Sequence, residues 1–302
     1  MQLLIISNCS ARKTADPVRS LCARTLPRGT PRELAAEWRL RCSAADMRVT
    51  ASRLYAGRGF SLACEVAGST GAQLRIVSAG MGLLQPDTLI PSYSLTVSPT
   101  AADCILARAA PGASFSADQW WGAIRAHPAG FARLLANHPR ALLLIATTRP
   151  YLRMVAGELA SLTDSARDRI RIIGLTRARV VPEALRPYVM PYDSRLDDAE
   201  RKLRGTSFDF PVRALAHFAE LVKSDRRMES PEKHAARVRQ SLAHWRAPHR
   251  VIRKPIHDVT LKRKIKQFKR QSTSRTAALR RLRVELGLAC EQQRFAIAWD
   301  RM

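Results

Sequence analysis

Short apolar runs recur through the first 220 residues: Leu3-Leu4-Ile5-Ile6, Leu74-Arg75-Ile76-Val77, Leu142-Leu143-Leu144-Ile145 and Ile170-Arg171-Ile172-Ile173. Each is too short for a helix, is apolar almost throughout rather than alternating, and meets Ser, Thr or Gly within two residues of its end, the pattern of a strand buried on both faces. Between the runs, apolar residues spaced by three and four predict helices over 32–44, 51–67, 117–126, 129–137 and 150–161. Strands alternating with helices predict an α/β domain whose sheet is mostly parallel and flanked by helices. An amphipathic helix over Pro211 to Val222 closes it, giving a first domain of residues 1–222.

From Lys223 the pattern changes. Ser224 to Ser230 reads as a polar linker, a helix is predicted from Pro231 to Trp245, and Pro248 and Pro255 break the pattern beyond it. Val259 to Arg270 and Arg275 to Leu286 then read as helices. Ser272-Thr273-Ser274 caps the second, Leu279, Leu282 and Leu286 share one face of it, and Gly287 ends it. A last helix runs from Ala289 to Trp299. Residues 223–302 are thus expected to form a basic, helical, helix-turn-helix-like region.

Charge sharpens this division. The chain carries 51 Lys+Arg against 25 Asp+Glu, a net charge of +26, and from Leu221 onward the balance is 22 to 7. So large an excess predicts a polyanionic partner, and the sparse aromatics of the tail favour duplex DNA over single-stranded RNA. The cations expected to meet it are Lys262, Arg263, Lys264, Lys266, Lys269, Arg270, Arg275, Arg280, Arg281 and Arg283. No apolar stretch is long enough for a membrane span, and the start of the chain reads as a first strand, so a cytoplasmic protein is expected. Six scattered cysteines without Cys-x-x-Cys or zinc spacing read as reduced thiols.

Parallel sheets of this class bind ligands beyond the carboxyl ends of their strands. That rule selects Ser7-Asn8-Cys9-Ser10, Ser78-Ala79-Gly80, Thr147-Thr148 and Gly174-Leu175-Thr176, which are expected to share a pocket. Such residues also serve as ordinary helix caps. Asp87 and Tyr93 come after the second strand end, where glycines are expected to let a flat ligand approach the backbone. A further loop offers Asp193, Arg195 and Asp197.

Three motifs in order resemble the YaaA-related domains of bacteria and phages. They are Ile6-Ser7-Asn8-Cys9-Ser10 with Arg12-Lys13, Leu54-Tyr55-Ala56-Gly57, and Val77-Ser78-Ala79-Gly80-Met81-Gly82-Leu83-Leu84 with Asp87 and Tyr93 downstream. Asn8 interrupts the usual Ser-Cys pair, and Gly80-Met81 stand where that family carries Lys-Tyr. The resemblance covers about a third of the chain. It implies an α/β domain associated with DNA, in families linked to DNA damage and modified bases, some similar to base-releasing glycosylases of phage-defence settings.

For a base flipped out of DNA, the reaction these residues suit is hydrolysis of the N-glycosidic bond. A carboxylate stabilises the oxocarbenium-like transition state, and hydrogen-bond donors receive the charge moving onto the leaving base. The candidate carboxylates are Asp87 and Asp193, then Asp197. Each has a plainer alternative: an Asx-turn for Asp87, a pair with Arg195 for Asp193, a helix-start acid for Asp197. Asn8, Cys9, Ser10, Tyr55, Ser78, Gly80, Tyr93, Thr148 and Arg195 are the expected base-binding residues. No histidine among His127, His138, His217, His234 and His257 has triad or metal-ligand spacing, and no cofactor fingerprint is visible. The expected protein is a DNA glycosylase for an unusual base, acting without metal or cofactor; the alternative is a non-catalytic protein that binds damaged or modified DNA.

Overall fold

The computed structural model of the protein describes all residues except 126–129, 176–177, 199–202, 204, 226 and 249–252. Thr176 and His127 therefore lie outside the described residues. The chain forms two compact units, Met1–Pro248 and His249–Met302.

In the first unit, strand β1 (Gln2–Asn8) leads to helices α1 (Pro31–Ser43) and α2 (Arg58–Thr70). Strands β2 (Gln73–Ser78) and β3 (Gly82–Leu84) come next, then helices α3 (Ala117–Ile124) and α4 (Gly130–Asn137). Strand β4 (Ala141–Ala146), helix α5 (Arg149–Ala160), strand β5 (Ile170–Ile172) and helices α6 (Phe210–Val222) and α7 (Pro231–Ser241) complete it. The five-stranded sheet has the order β3-β2-β1-β4-β5; only β3 is antiparallel to its neighbour. Every residue of β4 is buried, as a central strand covered on both faces requires. Helices α2 and α6 pack on each other and against β1 and β4 respectively, while α1, α3 and α5 pack together in a further layer. No helix among the described residues is long and apolar enough to cross a membrane.

The four apolar runs form strands, each within two residues of its expected bounds. β3 is not signalled by periodicity: it is three residues long and exists because Gly82, at φ 74, turns the chain back on β2. The helix expected over 51–67 is broken. Ala51–Leu54 makes one turn, Tyr55 is extended, and Gly57 at φ 113 resets the chain before α2 begins.

The unit boundary lies at residue 248 rather than 222. The reason is apolar burial, since α7 inserts Ala235 and Val238, with Leu242 after it, into the first unit's core. The second unit contains α8 (Asp258–Arg270), α9 (Arg275–Val284) and α10 (Gln292–Asp300) around Ile256, Leu261, Ile265, Phe268, Ala278, Leu282, Cys290 and Phe295. Ser274 caps α9 through the Ala277 amide. Leu286 departs from the expected stripe: α9 ends at Val284, and Leu286 is exposed. Gly287, at φ 60, does turn the chain, but the connection to α10 spans 285–291 and pairs Leu288–Ala289 with Lys254–Pro255.

Candidate functional site

The strand order reverses between β1 and β4, because the chain proceeds from β1 outward to β2 on one side and from β4 to β5 on the other. A crevice is expected at such a switch point. A cavity of about 410 Å³ lies there, bordered by Ser7 to Arg12, Gly57 to Phe60, Thr148, Tyr151, Asp209 and Val212. Asn8 joins its two sides: the Thr148 amide donates to Asn8 Oδ1 at 3.0 Å, and Asn8 Nδ2 donates to the Cys9 carbonyl at 2.8 Å. Cys9 Sγ lies 3.3 Å from the Tyr151 hydroxyl, whose oxygen is also 3.3 Å from Thr96 Oγ1. Ser10 donates to the Ala56 carbonyl and accepts from the Arg12 amide.

The helices whose first turns border this cavity differ from α1, α3 and α7. Thr30 with Glu33, and Ser116 with Gln119, form capping boxes on α1 and α3, and Ser230 caps α7. The N-caps of α2, α5 and α6 are Gly57, Thr148 and Asp209, and none makes a side-chain capping bond. In α5 and α6 the second residue is a proline without an N–H, and the Val212 amide of α6 donates to the Asp209 carbonyl at 3.1 Å, so what the three first turns bring to the cavity is chiefly the positive ends of their dipoles.

Asp209 is the carboxylate in the cavity wall. Its Oδ1 accepts from the Thr206 amide at 2.8 Å and from Arg213 Nε at 2.9 Å, and Arg58 Nε lies 3.3 Å from Oδ2. Arg213 is fully buried and fully engaged, donating also to Asp197, the Leu203 carbonyl and the Thr206 carbonyl at 2.6–2.8 Å. This cation fixes the loop that carries Phe208, which borders the cavity yet is 84% exposed.

The other expected strand ends do not reach the cavity. At the end of β2, Ser78 Oγ is 2.6 Å from the Tyr93 hydroxyl, which is 2.7 Å from the Tyr55 hydroxyl; all three residues are buried. Burial pushes both phenol pKa values up. A Cβ on Gly80 would lie 2.7 Å from the Tyr93 ring, so the flat group that approaches this glycine is the protein's own tyrosine. Trp38 and Trp120 donate to the Gly80 and Ala79 carbonyls, each at 2.7 Å. Ser78, Gly80, Tyr55 and Tyr93 are thus core residues here. After β5, Gly174 packs against Pro211, where an added Cβ would sit 2.2 Å from Pro211 Cα.

The three nominated carboxylates also fall elsewhere. Asp87 is exposed on the loop after β3. Asp193 caps the turn at Ser194–Asp197 and is clamped by Arg195 at 2.9–3.1 Å, hydrogen bonds that hold its pKa below the usual carboxylate range. Arg195 is occupied by that pair and by the Leu242 carbonyl. Asp197 is 2.7 Å from buried Arg213.

Among the described residues, Asp225, Glu229 and His234 are close enough together to be considered for a metal ion. Their chemistry argues against one. Arg171 Nε donates to His234 Nδ1 at 2.8 Å, so neutral His234 carries its proton on Nε2, the nitrogen that faces the acids. Arg237 already neutralises both carboxylates at 2.6 and 3.0 Å. Burial and the neighbouring Arg171 push the His234 pKa down to about 4.

In the second unit, Lys262, Arg263, Lys266 and Arg270 are exposed on α8, opposite buried Leu261, Ile265 and Phe268. Lys264 contacts Gln267, and Lys269 lies over the Trp299 ring. Arg280 is exposed on α9, but its neighbours are committed: Arg281 to Glu285 and Gln271, Arg283 to the Cys290 carbonyl, and Arg275 to Asp300. The uncommitted cations therefore lie mainly on α8.

Asp209 and Phe208, like Arg58 and Tyr151, are cavity residues that sequence reasoning missed. A signal existed in Thr206-Ser207-Phe208-Asp209-Phe210-Pro211: a phenylalanine amid turn residues, and an aspartate at the N-cap of a helix with proline in its first turn. Compared with known proteins, the chain matches no family model, no curated protein and no solved structure.

Proposed function

We propose that the protein is a DNA glycosylase that holds one flipped, unusual nucleotide in the switch-point cavity and hydrolyses its N-glycosidic bond. The observation that carries this reading is the pairing of Asp209, in the wall, with an exposed phenylalanine, Phe208, at the rim of the same cavity. Phe208 offers a face on which a base stacks, and three uncapped helix N-termini with Arg12 and Arg58 offer positive charge to its phosphate. Asp209 replaces Asp87, Asp193 and Asp197 as the carboxylate that stabilises positive charge developing at C1′. Water adds at C1′ as the bond electrons leave with the base. Asn8 and Ser10 are committed within the protein and position the walls, which leaves the Thr148 hydroxyl and the Arg12 guanidinium as donors to the departing base.

DNA is the polyanion we assign to the chain. The second unit carries 15 Lys/Arg against 4 Asp/Glu, with the uncommitted side chains concentrated along α8. The setting we carry from the YaaA-related resemblance is genome protection or defence against phages with modified DNA.

The test is incubation with unmodified and phage-modified DNA, scored for released base and alkali-labile abasic sites. Base release that disappears in Asp209→Asn, with DNA binding retained, supports the assignment. A specific observation favours a second reading, non-catalytic binding of modified DNA: both oxygens of Asp209 are already engaged by arginines. That reading expects a gel shift without abasic sites. Metal-dependent breaks formed without alkali would instead identify a nuclease.

A further inference from the structure

In the second unit, helices α8 and α10 pack together over Leu261, Ile265 and Phe295, and their outer sides leave a groove of about 950 Å³. Each helix turns one stripe toward it. Asp258, Lys262 and Lys266 recur every fourth residue on α8, while Arg294, Ile297 with Ala298, and the C-cap residue Arg301 mark successive turns of α10. The acids are confined to the helix starts: Asp258 opens α8 and pairs with Arg294 at 2.5 Å, and Glu291 is the N-cap of α10. Among the described residues, the exposed side chains of Lys262, Lys266 and Arg301 make no hydrogen bond or ion pair. Both walls thus carry available cations. Between them lies apolar surface, since Ile297 is 47% exposed and Met302 also borders the groove. The other side of α8 differs. There, among the described residues, Arg263, Lys264, Lys266, Gln267, Arg270 and Gln271 line a depression of about 510 Å³ that holds no apolar side chain.

We propose that this groove seats a single strand of DNA, with phosphates on Lys262, Lys266 and Arg301 and base or sugar faces on Ile297 and Met302. The proposal rests on DNA as the chain's polyanion, and not on chemistry in the switch-point cavity. Width decides between strand and duplex. The axes of packed helices lie about 8–10 Å apart, so the space between two of them admits one extended strand, while a duplex meets only its lips. The apolar floor points the same way, because a lone strand exposes base faces that a duplex keeps stacked. Lys262 and Lys266 stand one turn apart, about 6 Å along the helix axis, and so can meet neighbouring phosphates of one strand. Phosphate contacts and an aliphatic floor position the strand without reading its sequence.

The experiment follows fluorescence anisotropy of the full-length protein with labelled oligothymidylate of about 12 nucleotides, a duplex of the same length, and oligouridylate. Lys262→Ala with Lys266→Ala and Arg301→Ala should weaken binding of the single deoxy strand about tenfold or more. The log-log salt slope should fall by about 2, at about 0.7 per phosphate, while duplex binding falls by about threefold or less. Arg263→Ala with Lys264→Ala and Arg270→Ala removes the same charge from the other side of α8, and should leave single-strand binding within about threefold at physiological salt. Ile297→Ser should weaken it about threefold with the slope unchanged, because apolar contact is lost and no charge is. Equal losses on strand and duplex, equal losses from the two triple variants, or an Ile297→Ser variant that binds as the parent does would overturn the groove. Tighter binding of oligouridylate, or displacement of the deoxy strand by polyglutamate at equal charge, would overturn the assignment of DNA to it. The oligothymidylate contains no modified base, so each of these results bears on the groove alone; the glycosylase reading fails separately, on base release.

Discussion

At the end of β1 the chain runs Ser-Asn-Cys-Ser and at the end of β2 it runs Ser-Ala-Gly, yet the first borders a cavity of about 410 Å³ and the second is packed solid. Both ends belong to adjacent parallel strands and both carry small polar residues. What separates them is the chain that returns over each. Tyr93, with Tyr55, fills the space beyond β2 and uses the Ser78 hydroxyl for an internal hydrogen-bond network. Over β1 and β4 the returning segments bring helix N-termini, Asp209 and an outward-facing Phe208 instead. Small residues at a strand end give room, and the room becomes a site only where nothing in the chain occupies it.

Four changes probe the contrast, the largest effect first. Arg213→Ala removes the buried cation that fixes the wall of the open end, leaving Asp197 and Asp209 without their shared partner; unfolding free energy should fall by about 3–5 kcal/mol in denaturant titration. Acidification comes next. His217 on α6 is held neutral by burial, as is His234 on α7, each with its pKa pushed down to about 4 from near 6.5. The unfolded chain takes up protons first, so stability is complete above about pH 6.5 and is lost as pH falls toward about 4, by up to roughly 3 kcal/mol per histidine. The packed end contributes nothing to this loss because its titratable side chains are tyrosines with raised pKa values. Thermal melts across pH 4–8 check the sign.

Gly80→Ala forces a methyl against the Tyr93 ring and should cost about 1–3 kcal/mol while leaving DNA affinity unchanged. If it weakens DNA binding in a fully folded sample, the β2 end is part of the site after all. Phe208→Ala should do the reverse. Its effect on the melting transition should be within about 0.5 kcal/mol because the side chain is exposed, whereas binding of DNA with a flipped base should weaken by about 1–3 kcal/mol.

The strands were legible because each buried run, such as Leu142 to Ile145, is apolar nearly throughout and ends in small residues. The mostly parallel sheet was legible in their alternation with helices, and the switch-point rule led to Asn8, Cys9, Ser10 and Thr148. Partners distant in sequence were not legible. Nothing local to Tyr93 indicates that its ring will cover Gly80, and nothing in Arg213 shows that it will hold Asp197 and Asp209 together. The helix over 51–67 illustrates the same limit, since its apolar spacing continues through a segment where Gly57 at positive φ breaks the backbone. The domain boundary moved because α7, polar on its exposed face, commits Ala235 and Val238 to a core formed much earlier in the chain.

The central claim is that a nucleotide unit enters the open strand end rather than resting only on the cationic α8. Photocrosslinking of duplex DNA carrying 5-iododeoxyuridine at a mismatched position, with peptide mapping of the products, tests it directly. The account predicts an adduct within 206–209, centred on Phe208, that is lost in Phe208→Ala. Adducts confined to 253–283, with none on the segments that border the cavity, would contradict it.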